Sequence, residues 1–394
     1  MSLALPIAAR RRGACPSLDA PMQTGDGLLA RLRIAGGRIS PAKLARLAQL
    51  AGDFGNGVVE ITARGNLQVR GLTAAGALPF ARAVEALVSI ERGLVVETPP
   101  LAGEELGADA DPRKLATPIR AAAAPLAANL GPKVTVVVDG NGRFNLSGLK
   151  ADIRLAAVAD GWALTVGGHF FGVTAQPEQA ALSALKLLAA SGPEARATDL
   201  PHMALLACLG HLCADAAEPV GQSAPPLGHI ETSSRSIIGL ALPFGAVAWD
   251  RLAHLALVAP HHGVSEFRLS PQHILLAMDG EPSLLEDLEP DDFVSHPLDP
   301  RRRVSACIGS GGCASGHVAA RLVASRLAPL VGEHDTLHVA GCAKGCALPR
   351  RAAVTLVGQL DGFGLVLDGR ASDAPVTVLR ADQLAGVLGP AWRE

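Results

Sequence analysis

The sequence predicts an α+β protein written twice. Three observations carry this: a self-similarity with a period of about 200 residues, alternating strand-type and helix-type apolar spacing within each copy, and two cysteine pairs confined to the second copy. Gly57 to Val69 aligns without gaps on Gly263 to Leu275, and each segment reads as strand, sharp turn and strand. Each is preceded by an apolar strand (Leu28 to Ile34; Ile237 to Leu242), a short break and an amphipathic helix (Pro41 to Leu50; Trp249 to Val258). The helices follow from apolar spacing at Leu44, Leu47 and Leu50, and at Leu252, Leu255 and Val258. Downstream, Ala151 to Gly168 matches Ala352 to Gly369, with Asp160-Gly161 and Asp361-Gly362 as hairpin turns.

The order is therefore A, B, A′, B′. Repeat A is expected at 14–100, B at 110–225, A′ at 230–295 and B′ at 300–394, with Pro/Gly-rich or acidic joints near 98–112, 215–228 and 284–300. Such a chain folds with pseudo-twofold symmetry, and a bulky, roughly symmetric ligand suits the axis between the halves.

With 394 residues, about half of them apolar, the chain buries a large core without needing staples. Gly and Pro make up less than a fifth of it and are spread throughout, which excludes collagen-like and broadly disordered classes. A formal charge of −2 gives no general attraction for nucleic acid or anionic lipid, so any anionic ligand needs a local basic patch. The amino terminus runs apolar (Leu3, Leu5, Ile7) and then basic (Arg10, Arg11, Arg12), the reverse of a secretory signal. No uncharged apolar stretch reaches the roughly 20 residues that span a bilayer. The expectation is a cytoplasmic protein with neither nucleic-acid nor membrane partners. Seven cysteines, an odd number in such a chain, point to metal or redox use instead of a disulfide framework.

Four of them form two close pairs. Cys307 and Cys313 stand in Cys-Ile-Gly-Ser-Gly-Gly-Cys, and Cys342 and Cys346, starting 29 residues after Cys313, in Cys-Ala-Lys-Gly-Cys. A 4Fe-4S cube needs four thiolates converging on one centre, and neighbouring glycines (Gly309, Gly311, Gly312, Gly341, Gly345) let backbone N–H groups approach its sulfides. A structural zinc also takes four cysteines, but its knuckles carry two to four intervening residues where the first pair here has five. Four unrelated buried thiols would not explain the double pairing with glycine. Cys208 and Cys213 lie in an apolar segment with His202 and His211, where core packing outweighs a metal site, and Cys15 reads as an ordinary thiol.

Cys-x5-Cys and Cys-x3-Cys in the second half of a duplicated chain resemble the nitrite/sulfite reductase superfamily over almost the whole length. Gly13-Ala-Cys15-Pro16, Pro21-Met-Gln-Thr-Gly-Asp-Gly27 and Gly341-Cys-Ala-Lys-Gly-Cys346 resemble its precorrin-oxygenase branch, which serves aerobic cobalamin biosynthesis. The resemblance implies ferredoxin-like half-domains for A and A′, two α/β cluster and tetrapyrrole domains for B and B′, and a 4Fe-4S cluster on the four cysteines. It implies O2-dependent hydroxylation of precorrin-3A at ring carbon C20 with closure of a γ-lactone. It also implies a mononuclear non-haem iron and electrons from NADH. No Gly-x-Gly-x-x-Gly stands in a strand-to-helix context, so a separate reductase would deliver them.

Residue by residue, Arg64 in Thr62-Ala-Arg-Gly matches the arginine that faces the tetrapyrrole, and Lys133 matches the first of two active-site lysines; both are expected to be catalytic. Thr135 stands where the second lysine belongs, and a further arginine expected before Pro99-Pro100-Leu-Ala-Gly103 is missing. Sulfite or nitrite reduction with sirohaem needs a dense cationic cage for a small oxyanion, whereas hydroxylation of a neutral ring carbon does not. The sirohaem-dependent reductase is therefore the alternative, and a non-catalytic electron-transfer module a third reading. Precorrin carries several carboxylates that pair well with planar guanidinium groups. The expected substrate-binding residues are Arg31, Arg33, Arg64, Arg70, Arg154 and Arg268, with Lys344 between two cluster ligands; each of these arginines other than Arg64 reads equally as a strand-edge or surface pair. His169, His261, His262, His273 and His317 are the histidines available to a mononuclear iron.

Overall fold

The computed structural model describes residues 16–388 except 106, 220, 222 and 233–234; Cys15 and the Arg10 to Arg12 run lie outside the described residues. The chain divides into two compact units, one built from residues 91–225 and the other from 17–90 together with most of 226–388.

Repeat A runs β1 (Met22–Thr24), β2 (Gly27–Leu32), β3 (Arg38–Ile39), α1 (Pro41–Phe54), β4 (Val58–Ile61), β5 (Leu67–Leu72) and α2 (Ala74–Leu87). The 91–225 unit contains β6 (Val95–Glu97), α3 (Arg113–Ala123), β7 (Thr135–Asp139), β8 (Ile153–Val158), β9 (Gly161–Val166), β10 (His169–Thr174), α4 (Pro177–Ala190) and α5 (His202–Leu209). Repeat A′ follows as β11 (Gly228–Glu231), β12 (Ser236–Ala241), β13 (Ala246–Ala248), α6 (Trp249–Val258), β14 (Glu266–Ser270) and β15 (Ile274–Met278). The last stretch holds β16 (Val304–Ala306), α7 (Ala320–Leu327), β17 (Leu337–Ala340), β18 (Ala352–Gln359), β19 (Gly362–Gly369) and β20 (Thr377–Leu379).

The predicted duplication is visible strand for strand. One sheet is ordered β1-β2-β5-β4-β13 and another β11-β12-β15-β14-β3. Each copy therefore lends the strand before its first helix to the other's sheet: β13 pairs antiparallel with β4, and β3 with β14. Both strands are too short to show an alternating pattern in the sequence, so the exchange is visible only in the fold. The segments 91–225 and 300–379 repeat a second topology. In each, three parallel strands (β6, β7, β8; β16, β17, β18) are followed by two antiparallel ones (β9, β10; β19, β20). The Asp160-Gly161 and Asp361-Gly362 hairpins fall where expected, between β8 and β9 and between β18 and β19.

Within the larger unit, α1 and α6 pack on each other beneath the two exchanged sheets and bury the apolar stripes that predicted them: Leu44, Leu47, Leu50, Leu252 and Leu255 share one core. Trp249 seats this contact. Its backbone N–H donates to Gly57 O at 2.8 Å, and its ring lies so close to Gly52 that a Cβ there would stand 2.8 Å from Cδ2. In the 91–225 unit, the buried carboxylate of Asp152 accepts from the backbone N–H groups of Thr135 and Ala197 and from Arg196 Nε and Nη2 (2.8 to 3.0 Å), tying β7 and β8 to the segment after α4. Among the described residues no helix is long and apolar enough to cross a membrane.

The Gly52 contact gives a direct test of the helix seat. Gly52→Ala should overpack α1 against Trp249 and cost about 1–3 kcal/mol, read as a lowered denaturation midpoint with an unchanged slope.

Candidate functional site

Both cysteine pairs leave the carboxyl ends of neighbouring parallel strands. Cys307 follows β16, Cys342 follows β17, and the strands are paired in register Ser305 to His338 and Ala306 to Val339. The loops they open are fastened to each other: Gly341 N–H donates to Cys307 Sγ (3.1 Å), and His317 N–H donates to Gly341 O (2.8 Å). Glycine is required where they touch. A Cβ on Gly341 would stand 2.8 Å from Gly309 Cα and 3.3 Å from Cys307 Sγ, and one on Gly309, itself left-handed at φ 67°, would stand 2.1 Å from Val318 O. Lys344 Nζ bridges the loops by donating to Ser315 Oγ (2.9 Å), so this residue expected at the substrate ties Cys342–Cys346 to the other loop.

Repeat A holds the first loop from outside. Gly25 N–H and Arg70 Nη2 both donate to Gly312 O (3.2 and 2.8 Å). Arg70 also forks onto Asp26, with Nε to Oδ2 at 3.1 Å and Nη2 to Oδ1 at 3.0 Å. Burial works against the Asp26 carboxylate, but the hydrogen bonds from Arg70 and Thr24 and the charge of Arg70 outweigh it and hold its pKa below the ordinary value. The ion pair is nearly enclosed, at 7% and 10% side-chain exposure, so removing one partner would strand a buried charge.

Beside the loops lies a cavity of about 500 Å³, contained wholly within the larger unit. One cysteine from each loop, Cys307 and Cys346, borders it, together with Arg31, Arg70, Arg301, Arg302 and Arg321. A hydrogen-bonded chain crosses its wall: Arg31 donates to Gln68 Oε1 (3.0 and 3.2 Å), Gln68 Nε2 donates to Glu60, and Arg321 Nη2 donates to the other Glu60 oxygen. Arg301 is paired with Asp299 (2.7 Å). Arg302, whose pKa burial lowers, gives its two described hydrogen bonds to neutral oxygens of Gln272, O at 3.2 Å and Oε1 at 3.1 Å.

Of the residues expected at the substrate, Arg31 and Arg70 line this cavity, and Arg64 sits in the β4–β5 turn beside the lining residues Thr62 and Ala63. Arg33 follows β2 and is half-buried. Arg268 is 1% exposed and bound to Glu266 (2.6 Å), which gives it a structural ion pair. Arg154 belongs to the 91–225 unit, where it donates to Leu146 O and Leu149 O and lines a smaller cavity with Asp139; Lys133 precedes β7 in the same unit. Arg301, Arg302 and Arg321 were missed; the run Asp299-Pro-Arg-Arg-Arg just before the first cysteine motif was a readable signal for the first two, whereas Arg321, on α7, had none.

Among the described residues no three His, Cys, Asp or Glu side chains form a ready-made cation site. The histidines proposed for a mononuclear iron are dispersed. The His169 ring lies tilted against that of His202 (centroids 4.9 Å apart), His262 bonds Ser283 and Asp287, His317 is exposed, and His273 is on the cavity wall. Cys208 and Cys213 are half-buried against the core of the 91–225 unit, and burial raises both thiol pKa values, as packing residues require. The four thiols Cys307, Cys313, Cys342 and Cys346 are carried on the two fastened loops, whose glycines let the loops approach each other closely.

His338 is a second sign that something polar belongs here. It is fully buried on β17 beneath the second cysteine loop, with Cε1 3.5 Å from where a Gly345 Cβ would be, and neither ring nitrogen has a hydrogen-bond partner. In the matching strand β7, Val137 occupies this register, since Val136 pairs with Ile153 as Leu337 pairs with Val354. Burial lowers the His338 pKa to about 4. A folded pKa below the unfolded value of about 6.5 contributes stability that is full above the unfolded pKa and is lost as pH falls from there toward the folded one, up to ~3 kcal/mol. His338→Val should therefore flatten the fall in stability between pH 7 and pH 4.5, measured by denaturant titration at each pH.

Comparison with known proteins agrees with this architecture. A family model described as the nitrite/sulfite reductase ferredoxin-like half domain matches residues 20–87. A protein of Sinorhizobium sp. named precorrin-3B synthase is 38% identical over 396 residues, covering 94% of this chain and 85% of that protein. The solved structure of the Mycobacterium tuberculosis NirA protein shares the fold with a TM-score of 0.71 at 20% identity, covering 93% of this chain and 80% of that one. The fastened cysteine loops and exchanged half-domains are thus those of a chain that belongs to the precorrin-3B synthase family of the nitrite/sulfite reductase superfamily.

Proposed function

We propose that this chain is a precorrin-3B synthase, in which Cys307, Cys313, Cys342 and Cys346 hold one 4Fe-4S cluster and the adjoining cavity takes precorrin-3A. The observation that carries the reading is the arginine-lined cavity bordered by one cysteine of each loop. Arginines on several sides suit a flat ligand with carboxylates around its rim, because each guanidinium offers two parallel donors. Arg302 is the first proposed carboxylate partner, together with Arg31 and with Arg321, which also holds Glu60, while Arg70 chiefly positions the Cys307–Cys313 loop through Gly312 O. Arg64 keeps its proposed place against the tetrapyrrole, and Lys133 its proposed catalytic part.

The reaction adds one oxygen atom of O2 at C20, reduces the other to water with two electrons drawn from NADH through a separate reductase, and closes a ring acetate onto the macrocycle as a γ-lactone. When bound, the cluster would supply single-electron transfer or a fixed face against which the substrate is positioned. The protein's own part is to orient the macrocycle, neutralise its carboxylates and keep water from the reacting edge. A cytoplasmic location is part of the same proposal.

Incubating anaerobically purified protein with precorrin-3A, O2, NADH and a reductase should give a product one oxygen atom heavier; an unchanged substrate mass would count against the reading. Cys342→Ser should lose both the cluster absorption and turnover while retaining its circular dichroism. Arg64→Ala should keep the cluster and weaken substrate binding, and full activity in that variant would remove Arg64 from the site.

A further inference from the structure

The cavity wall is rich in donors and short of acceptors. Five arginines can only donate. The Glu60 carboxylate is taken up by Gln68 and Arg321, Gln68 Oε1 by Arg31, and Gln272 Oε1 by Arg302. Apart from the hydroxyls of Ser305 and of Thr62, which accepts from Asn66 N–H (3.1 Å), and the thiols of the cysteine loops, the wall's side-chain acceptor is one ring nitrogen of His273.

The position of that ring is over-determined. Gln272 and His273 both have left-handed backbones, at φ 61° and 66°, a conformation non-glycine residues hold only when their surroundings enforce it. Here Gln272 N–H donates to Ala63 O (3.1 Å), Arg302 grips the Gln272 oxygens, and His273 O accepts from Leu242 N–H (2.9 Å). His273 Nδ1 lies 2.6 Å from Ile61 O. A carbonyl oxygen can only accept, so Nδ1 carries the hydrogen. The Nδ1–Cε1 edge also lies on Gly245, where a Cβ would stand 2.5 Å from Nδ1, which leaves the Nε2–Cδ2 edge for the cavity.

We propose that His273, locked as its Nδ1–H tautomer, presents Nε2 as the hydrogen-bond acceptor for an N–H or O–H of the bound tetrapyrrole. The proposal rests on the reading of the cavity as the tetrapyrrole site and adds a specificity-determining contact to it. Burial, with the charges of Arg302 and Arg321, lowers the His273 pKa and keeps the ring neutral, as an acceptor must be. The arginines then bind the carboxylate rim, and His273 reads a group they cannot.

Two measurements on the full-length, cluster-loaded protein test it. In a long-range 1H–15N spectrum of histidine-labelled protein, His273 should show a protonated Nδ1 and a bare Nε2, and a protonated Nε2 would overturn the proposal. In a fluorescence titration with a metal-free porphyrin carrying eight carboxylates, His273→Asn should bind about tenfold more weakly than the wild type, as the loss of one hydrogen bond predicts. Asparagine tolerates the left-handed backbone and keeps a donor for Ile61 O, but lacks the far acceptor, so its melting temperature should stay near that of the wild type. Wild-type affinity in His273→Asn would overturn the proposal. If the wild type itself fails to bind the porphyrin, the tetrapyrrole reading falls, and this proposal, which rests on it, falls too.

Discussion

Two short strands make one body out of two copies. Arg38–Ile39 completes the second sheet and Ala246–Ala248 the first, so neither half-domain has a full sheet without the other. The exchange brings the equivalent β-turns into contact: Gln272 N–H donates to Ala63 O, and Gly65 lies so close to Ser270 that a Cβ would stand 2.8 Å from its carbonyl carbon. His273 reaches Ile61 O across the same seam. The cavity wall opens on this seam, and its geometry is inherited from the interlock instead of being built by any one loop.

The charges around the cavity divide by function. Arg70 and Arg301 are held by carboxylates, Asp26 and Asp299, both with pKa values kept below the ordinary range where pairing outweighs burial. They fasten backbone, at Gly312 O and Phe293 O respectively. Arg302 is instead bonded to neutral oxygens, and burial lowers the pKa of two histidines, half-buried His273 on the wall and His338 inside β17. Such a site favours an anionic ligand, since Arg302 brings a positive charge to the wall while its described hydrogen bonds go to neutral oxygens.

Much of this was legible in the sequence, and the reasons differ by element. The helices at Pro41–Phe54 and Trp249–Val258 and the two Asp-Gly hairpins follow from local periodicity and turn chemistry, which need no tertiary information. The cysteine loops were readable because thiols and glycines have few other reasons to alternate. The exchanged strands were not, since two or three residues carry no period. The arginines fared unevenly for the same kind of reason. Arg268 looks in sequence like any other strand arginine, and only the fold shows it buried against Glu266 while Arg302 and Arg321, from distant segments, converge on the cavity.

At the centre of the proposed function are four thiols serving one cluster beside a cavity for a tetrapyrrole that is substrate and not a resident cofactor. The most direct test is an assay of iron, acid-labile sulfide and extractable tetrapyrrole on one anaerobically purified sample. About four iron and four sulfide per chain, as a 4Fe-4S cluster requires, with no bound sirohaem would agree with it. Stoichiometric sirohaem, or zinc in place of iron and sulfide, would contradict it.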